Sequence, residues 1–171
     1  LDSVTGVLSF ISSHNFEAPN DIGGDGVYEV DVQVFDGALV TFQTVLVTVG
    51  DVNEAPAISF NGGVSPSNFN HAENVALAAT VTANDVDAGS TLSFAITGGT
   101  DQFLFTIDSN TGALSFMLAP NFEAPIDSNV DGVYQVVVEV SDGALNDSQI
   151  LNISVTNVDE APVISSDGGG A

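Results

Sequence analysis

The chain has 171 residues, of which 23 are acidic and none is Lys or Arg, so its formal net charge at pH 7 is −23. No cationic side chain is available to neutralise phosphate, which excludes nucleic acids and anionic membrane surfaces as partners. A hydrophobic content of 44% argues against intrinsic disorder despite the charge. The composition therefore predicts a folded acidic protein whose charge is balanced by cations, with calcium the expected one.

The sequence repeats itself with a period of 106 residues. Residues 1–65 align with residues 107–171 without a gap, and 34 of the 65 aligned pairs are identical. A fixed period of this size is typical of an array of similar domains rather than of one globular enzyme. The chain holds about 1.6 periods and is expected to be a window onto a longer array.

Taken in chain order, short segments with alternating apolar residues predict β-strands along the whole sequence. These segments are residues 28–34, 75–83, 92–96, 105–107, 114–116, 134–140 and 151–155, with a further short run at 57–60. No segment has the period of an α-helix. About seven short strands per repeat, separated by turn residues, predict an all-β fold of tandem antiparallel Greek-key sandwiches of the immunoglobulin-like kind.

Two Pro-containing segments mark the expected domain boundaries. They end at Pro56 and Pro162, which are equivalent positions of the repeat. We therefore expect a complete repeat at residues 57–162, the C-terminal part of a repeat at 1–56, and the start of a third repeat at 163–171.

Several short motifs occur in a fixed order along the chain. They are Ala-Glu-Asn at 72–74, Asp-Val-Asp-Ala-Gly at 85–89, Phe-Thr-Ile-Asp at 105–108, Asn-Phe-Glu at 121–123, and the linkers at 51–56 and 157–162. Together they resemble the cadherin-like repeats of large secreted bacterial adhesin-type proteins. The resemblance implies an extracellular or cell-surface location and neighbouring repeats, of the same chain or the same protein, as partners.

The same resemblance implies a set of calcium ligands. In that family, calcium is held between consecutive domains by residues from the base of one domain, the linker and the top of the next. At the first junction the implied ligands are Asn15, Glu17, Asp51, Asn53, Glu54, Asp85, Asp87 and Asp142. At the second junction they are Glu73, Asn121, Glu123, Asn157, Asp159 and Glu160. Oxygen atoms on loops and strand ends suit calcium, which takes six to eight oxygen ligands.

The chain departs from the animal cadherin pattern in two respects. Its linkers are one residue shorter, and Asn15 and Asn121 replace an acidic residue at the first position of their motif. These departures imply fewer ions, or weaker binding, at each junction.

Some of these residues also have a simpler interpretation. Asp85 and Asp87 suit a turn after a strand, and Asp142 followed by Gly143 suits a hairpin turn. Residues 127–132, Asp-Ser-Asn-Val-Asp-Gly, resemble a short calcium loop. The first copy lacks the oxygen-bearing middle residue of that loop, so a solvated turn is the favoured interpretation there.

The sequence predicts no enzyme. His14 and His71 occupy non-equivalent positions of the repeat, and the chain has no Lys, Arg or Cys to supply the common electrophiles and nucleophiles.

The predicted function is a calcium-rigidified extender in cell–cell or cell–surface adhesion, with homophilic, carbohydrate or cell-surface ligands as further partners. A first alternative is a subunit of a self-assembling extracellular filament. A second is a carbohydrate-binding module of a secreted polysaccharide-degrading enzyme. The absence of Trp, and the expected inward orientation of Tyr28 and Tyr134, argue against the second alternative.

Overall fold

A computed structural model describes residues 1–162. The predicted start of a third repeat, at 163–171, lies outside the described residues. The chain divides into two compact units, the first at Leu1–Asn53 and the second from Glu54 onward. No helix within residues 1–162 has the length and apolarity needed to cross a membrane.

The first unit is built on one antiparallel hairpin. Strand β1 (Val27–Phe35) pairs with β2 (Val40–Thr48), with Tyr28 opposite Val47 and Phe35 opposite Val40. The turn between them is closed by Asp36, whose Oδ1 accepts the N–H groups of Ala38 and Leu39 at 2.8 Å each.

The second unit contains nine strands and two short 3-10 helical turns, at Phe60–Gly63 and Gln102–Leu104. The strands are β3 (Ala57–Ile58), β4 (Ser67–Ala72), β5 (Leu77–Thr80), β6 (Ala83–Asn84), β7 (Ser93–Gly98), β8 (Phe105–Ile107), β9 (Ala113–Phe116), β10 (Val133–Ser141) and β11 (Asn146–Thr156). One sheet has the order β4-β11-β10-β7 and another the order β5-β9-β8, while β3 and β6 form a separate pair. All of these pairings are antiparallel except that of β4 with β11.

The core of the second unit lies between the four-stranded and three-stranded sheets. Alternate residues of β10 and β11 point into it, and Phe105, Leu114 and Phe116 enter from β8 and β9. The ring of Tyr134 meets that of Phe116 edge-on, with 5.1 Å between centroids. Each large apolar side chain buried in this way contributes roughly 1.5–3 kcal/mol. The predicted all-β sandwich is confirmed.

The segment 75–83 differs from its prediction as one alternating strand. It forms two strands, β5 and β6, and the register of β5 against β9 shifts between Leu77 and Ala79. Such a bulge changes which side chains face inward. Val75 and Leu77 are consequently about half exposed, whereas Val81 is fully buried. The total of nine strands exceeds the predicted seven because the segment 75–83 forms two strands and because β4, at Ser67–Ala72, was not predicted.

The hairpin of the first unit has apolar residues on the face that corresponds to the core-facing side of β10 and β11. No sheet opposes that face within residues 1–53. Val34 is 67% exposed, whereas its equivalent Val140 is 0% exposed. In the second unit, the backbone of Val81 lies directly against Gly112. The carbonyl of Gly112 accepts the N–H of Val81, and a Cβ on Gly112 would lie 2.2 Å from the Val81 carbonyl oxygen. Gly6 is the equivalent residue of the first unit. Its φ, +71°, is nearly that of Gly112, but a Cβ on Gly6 would meet only open space, because no equivalent of Val81 lies beside it.

Candidate metal centre

Glu73 follows β4 directly, and its side chain is buried, with 1% of its surface exposed. Its two carboxylate oxygens accept different backbone donors: Oε2 accepts the N–H of Phe122 and Oε1 that of Val158, both at 2.8 Å. One carboxylate therefore ties the end of β4 to the β9–β10 connection and to the segment after β11.

The charge state of Glu73 follows from these contacts. The N–H of Val158, and then that of Phe122, stabilise the charged form and hold the pKa of Glu73 below its usual value, against the opposing effect of burial. Glu73 is therefore an anion at neutral pH.

Three carboxylates converge at this point. One oxygen each of Glu73, Glu123 and Glu160 lies within 4.8 Å of the other two. Oε1 of Glu123 accepts the side-chain amide of Asn157 at 2.7 Å, and Oε1 of Glu160 accepts that of Asn74 at 2.6 Å. These amides orient the carboxylates without neutralising them, and no Lys or Arg exists in the chain to do so.

The arrangement fits a calcium ion. Oxygen ligands lie about 2.3–2.6 Å from calcium, so two ligands of one ion are at most about 5 Å apart. One carboxylate oxygen of each of the three glutamates lies within 4.8 Å of the other two, which satisfies this condition. The donor atoms are all oxygen, as calcium requires, and the repulsion between three carboxylates favours a cation among them.

The other residues predicted for this site occupy different positions. Asn157 contacts Glu123 directly, whereas Asn121 uses Oδ1 to accept the N–H of Ala124 at 2.9 Å in a turn. Asp159 lies in the exposed segment after β11. Sequence reasoning missed the side-chain role of Asn74, although its place directly after Glu73 in the Ala-Glu-Asn motif was a signal. In the structure its φ is 64°, in the left-handed region that Asn tolerates better than most residues.

Asp85 and Asp87 lie just after β6 and are linked to each other. Oδ1 of Asp85 accepts the N–H of Asp87 at 2.9 Å, and Oδ2 of Asp87 accepts the N–H of Glu54 at 3.0 Å. The remaining oxygens, Oδ2 of Asp85 and Oδ1 of Asp87, are buried and accept no hydrogen bond from any residue in the described part of the chain. Buried carboxylate oxygens require a donor or a cation, which favours the ligand interpretation over that of simple turn formers.

The first unit repeats part of the same pattern. A carboxylate oxygen of Glu17 lies within 4.8 Å of one of Asp51, and these residues align with Glu123 and Asn157 of the second unit. Asn15 is held in a turn, where its Oδ1 accepts the N–H of Glu17 at 2.7 Å.

The two remaining predicted ligands of the first junction's linker, Asn53 and Glu54, lie in an exposed segment.

Asp142 and Asp127 each accept backbone N–H groups in a turn. This is the interpretation that the sequence gave as the alternative to calcium binding. Oδ1 of Asp142 accepts the N–H groups of Ala144 and Leu145 at 2.6 and 2.7 Å, as expected of a hairpin turn. Its role as a ligand stays a prediction. The buried Asp127 accepts the N–H groups of Asp131 and Gly132, which supports a turn rather than a calcium loop at 127–132.

Comparisons with known proteins bear on the fold. No protein-family model matches the chain. Human Protocadherin Fat 1 is 28% identical over 163 residues, which cover 88% of this chain and 3% of that protein. The solved structure of Protocadherin Gamma B7 extracellular cadherin domains 1-4 matches with a TM-score of 0.58 at 20% identity, covering 83% of this chain and 33% of the other. Mouse clustered PcdhgC3 EC1-3 matches with a TM-score of 0.55 at 18% identity, covering 85% and 46%. The fold is cadherin-like.

The chain spans less than half the length of each of these proteins. In the cadherin-like second unit, the order of the strands places the candidate acidic ligands at two opposite ends of the unit. Glu73 and Glu160 follow β4 and β11, whose last residues Ala72 and Thr156 are paired in parallel, so both glutamates lie at the end where the chain leaves the unit. Asp85 follows the pair formed by Ala57 and Asn84, so it lies at the end where the chain enters.

Proposed function

We propose that the chain is a calcium-binding structural segment of a large extracellular adhesin-type protein. In this role each repeat binds calcium through its terminal carboxylates and acts as a stiff spacer in cell–cell or cell–surface adhesion. The proposal is of a binding and structural role, not a catalytic one. The cadherin-like fold and the distant similarity to a human protocadherin support it.

The observation that carries this proposal is the cluster of Glu73, Glu123 and Glu160. Its central carboxylate is buried, negatively charged and fixed by two backbone donors, so its position is set before any ion arrives. Glu123 and Glu160 come from the β9–β10 connection and from the segment after β11. A bound calcium ion would supply the positive charge that allows these segments to stay together.

Stiffening follows from where these ligands lie in the chain. Glu160 belongs to the segment that follows β11 and leads out of the predicted repeat 57–162, and Glu73 accepts the N–H of Val158 in the same segment. Ligation of Glu160 would therefore restrain the direction in which the chain leaves the repeat. Without the ion, like charges within 4.8 Å favour release of the exposed glutamates.

Small-angle X-ray scattering of the whole protein tests this role. We expect calcium to reduce conformational flexibility relative to EDTA, and Glu160→Gln to reduce the effect of calcium because one ligand loses its charge. Glu139→Gln is the matched control, because this substitution removes the same charge and Glu139 lies on β10, outside the cluster. Identical scattering with calcium and with EDTA would contradict the extender role.

A further inference from the structure

Two consecutive residues at the end of β4 hold the segment that follows β11. Glu73 accepts the N–H of Val158 at 2.8 Å, and the side-chain amide of Asn74 donates to Oε1 of Glu160 at 2.6 Å. The partners are 85 and 86 residues apart in the sequence. We name residues 157–160 the exit segment. It is attached to the end of β4 at two points, one on its backbone and one on a side chain.

The backbone of Asn74 is held in a conformation that few residues adopt. Its φ is 64°, and its N–H donates to the carbonyl of Pro120 at 2.9 Å. This left-handed region is open to glycine and is tolerated by asparagine, whereas β-branched residues avoid it. Glycine would satisfy the backbone at this position but would lack the amide that Glu160 accepts. The contact to Glu160 therefore distinguishes asparagine from glycine here.

The hydrogen bond from Asn74 opposes a repulsion within the glutamate cluster. Glu160 is exposed, and one of its carboxylate oxygens lies within 4.8 Å of oxygens of Glu73 and Glu123. Without a cation, the proximity of three carboxylates favours movement of Glu160 into solvent. A hydrogen bond to a carboxylate is among the stronger ones in proteins, so Asn74 favours the position of Glu160 at the cluster.

The chemistry of the donor also matters for a cation. An amide carries no formal charge, so it holds the carboxylate without cancelling the charge that attracts an ion. A Lys or Arg at this position would hold Glu160 as well but would repel the ion, and the chain contains neither. Each carboxylate oxygen has two lone pairs, so accepting the amide leaves Glu160 with lone pairs for a cation.

A second amide at the cluster differs from that of Asn74 in its place in the chain. Asn157 donates to Oε1 of Glu123 at 2.7 Å. Asn157 is itself part of the exit segment and is one of the predicted calcium ligands, whereas Asn74 is neither. Replacement of Asn74 therefore removes a contact to the exit segment without removing a predicted ligand.

We propose that Asn74 is a positioning residue that keeps the exit segment docked on the second unit in the absence of calcium. The first consequence needs no ion: loss of the Asn74 amide releases the exit segment in EDTA. The second consequence rests on the proposed calcium-binding function. Calcium then has to order the segment as well as bind to it, and the free energy of ordering weakens the apparent affinity. A larger ion-induced change and weaker binding are therefore expected together.

Hydrogen–deuterium exchange of the whole protein in EDTA tests the first consequence. The amide of Val158 reports release, because its N–H is bonded to Glu73 in the docked segment. We expect Asn74→Gly to accelerate exchange at Val158 about tenfold or more, the factor that corresponds to loss of a hydrogen bond to a charged group. Asn61→Gly is the matched control, since Asn61 also has a left-handed φ, 52°, and donates its amide to Ser67 Oγ at 2.9 Å. This control is expected to leave exchange at Val158 unchanged.

Two further variants show whether the amide acts through Glu160. In a Glu160→Ala background the bond is already absent, so Asn74→Gly is expected to have no further effect on exchange at Val158. Asn74→Asp suits the same left-handed backbone but replaces the donor with a fourth carboxylate. We expect it to accelerate exchange at Val158 more than Asn74→Gly does. Equal acceleration by Asn74→Gly with and without the Glu160 carboxylate would contradict the proposal.

Calorimetric titration with calcium tests the second consequence. We expect Asn74→Gly to raise the Kd severalfold, while calcium slows exchange at Val158 by a larger factor than in the wild type. Unchanged exchange at Val158 in EDTA would overturn the proposal, as would equal acceleration by Asn61→Gly. A wild type that binds no calcium would contradict the proposed function instead, and the exchange rates in EDTA would still decide the role of Asn74.

Discussion

Glu73 and Val158 lie 85 residues apart in the chain and are joined by a hydrogen bond of 2.8 Å. The acceptor is one oxygen of a buried carboxylate, whose other oxygen accepts the N–H of Phe122. The segment that follows β11 is thus fixed to the end of β4 before its exposed acidic residues, Asp159 and Glu160, begin. We therefore expect both the stability of the unit and the proposed calcium site to depend on Glu73.

Glu73→Gln is expected to lower the melting temperature of the second unit by several degrees in EDTA. A glutamine side chain has only one acceptor oxygen, so its NH₂ group would face a backbone N–H, leaving a donor without an acceptor. The same change is expected to weaken calcium binding, because the central charge is lost. Thermal melts and calorimetric titration measure the two effects, with Glu139→Gln as the control of equal charge. A variant that melts and binds calcium like the wild type would show that Glu73 has neither role.

Calcium is expected to raise the melting temperature of the whole protein by several degrees, and EDTA is expected to remove the gain. Extracellular calcium modules bind at about 10⁻⁴–10⁻³ M, so millimolar ion should stabilise the folded state measurably. Superimposable melting curves in calcium and EDTA would contradict the presence of calcium sites.

The stabilising effect of the Glu73 carboxylate is expected to depend on pH in EDTA. Its pKa in the folded unit is lower than its usual value of 4.5, so the folded state releases the proton more readily than the unfolded chain does. The contribution is therefore fully present above pH 4.5 and is lost as the pH falls through the folded pKa. Urea unfolding of wild type and Glu73→Gln should show a difference in unfolding free energy that is constant near neutral pH and shrinks below pH 4.5. A difference that persists unchanged into strong acid would disprove this assignment.

Asp85→Asn with Asp87→Asn is expected to reduce the stabilisation by calcium while preserving the sandwich. The two buried oxygens without donors suit a cation, and an amide offers a weaker ligand with no charge. Asp108→Asn is the control, because Oδ1 of Asp108 accepts the N–H groups of Asn110 and Thr111 in a turn and Asp108 is not one of the candidate ligands. That control should change stability equally in calcium and in EDTA. An unaltered response to calcium in the double variant would mean that Asp85 and Asp87 are only turn residues.

Residues 1–56 are not expected to fold alone, whereas residues 57–162 are. The inward face of the first hairpin has no opposing sheet within its unit, and each large apolar side chain left uncovered forgoes roughly 1.5–3 kcal/mol. Circular dichroism and sedimentation of the two fragments decide this. A monomeric fragment 1–56 that melts cooperatively would show that the domain boundaries are misplaced.

The strands that alternation predicted best are those with one fully buried face. In β10, Tyr134, Val136 and Val138 are buried while the residues between them are not, so the period of two in the sequence mirrors the structure. The bulge in β5 has no such signature, because the segment contains no Gly and its apolar residues alternate through the irregularity.

The acidic residues were harder to assign from sequence. No motif in the sequence marks Asp101, yet it is buried and accepts the N–H groups of Ser128 and Gln135 at 2.7 and 2.8 Å. In a chain rich in aspartate, local sequence does not separate such an anchor from a solvated turn, since its donors come from distant segments. The grouping of Glu73 with Glu160 was predictable only through the motif resemblance, because it arises from the parallel pairing of β4 and β11.

That parallel pairing has a mechanical consequence. Strand β4 lies near the start of the second unit and β11 ends it, and they run side by side from the pair of Ser67 with Leu151 to that of Ala72 with Thr156. Tension along the polypeptide would pull the beginning of β4 and the end of β11 in opposite directions. Two parallel strands loaded in this way slide past each other, so the hydrogen bonds between them share the force and break together rather than one after another. Stretching of the unit would therefore be resisted at the two strands that precede Glu73 and Glu160 in the chain.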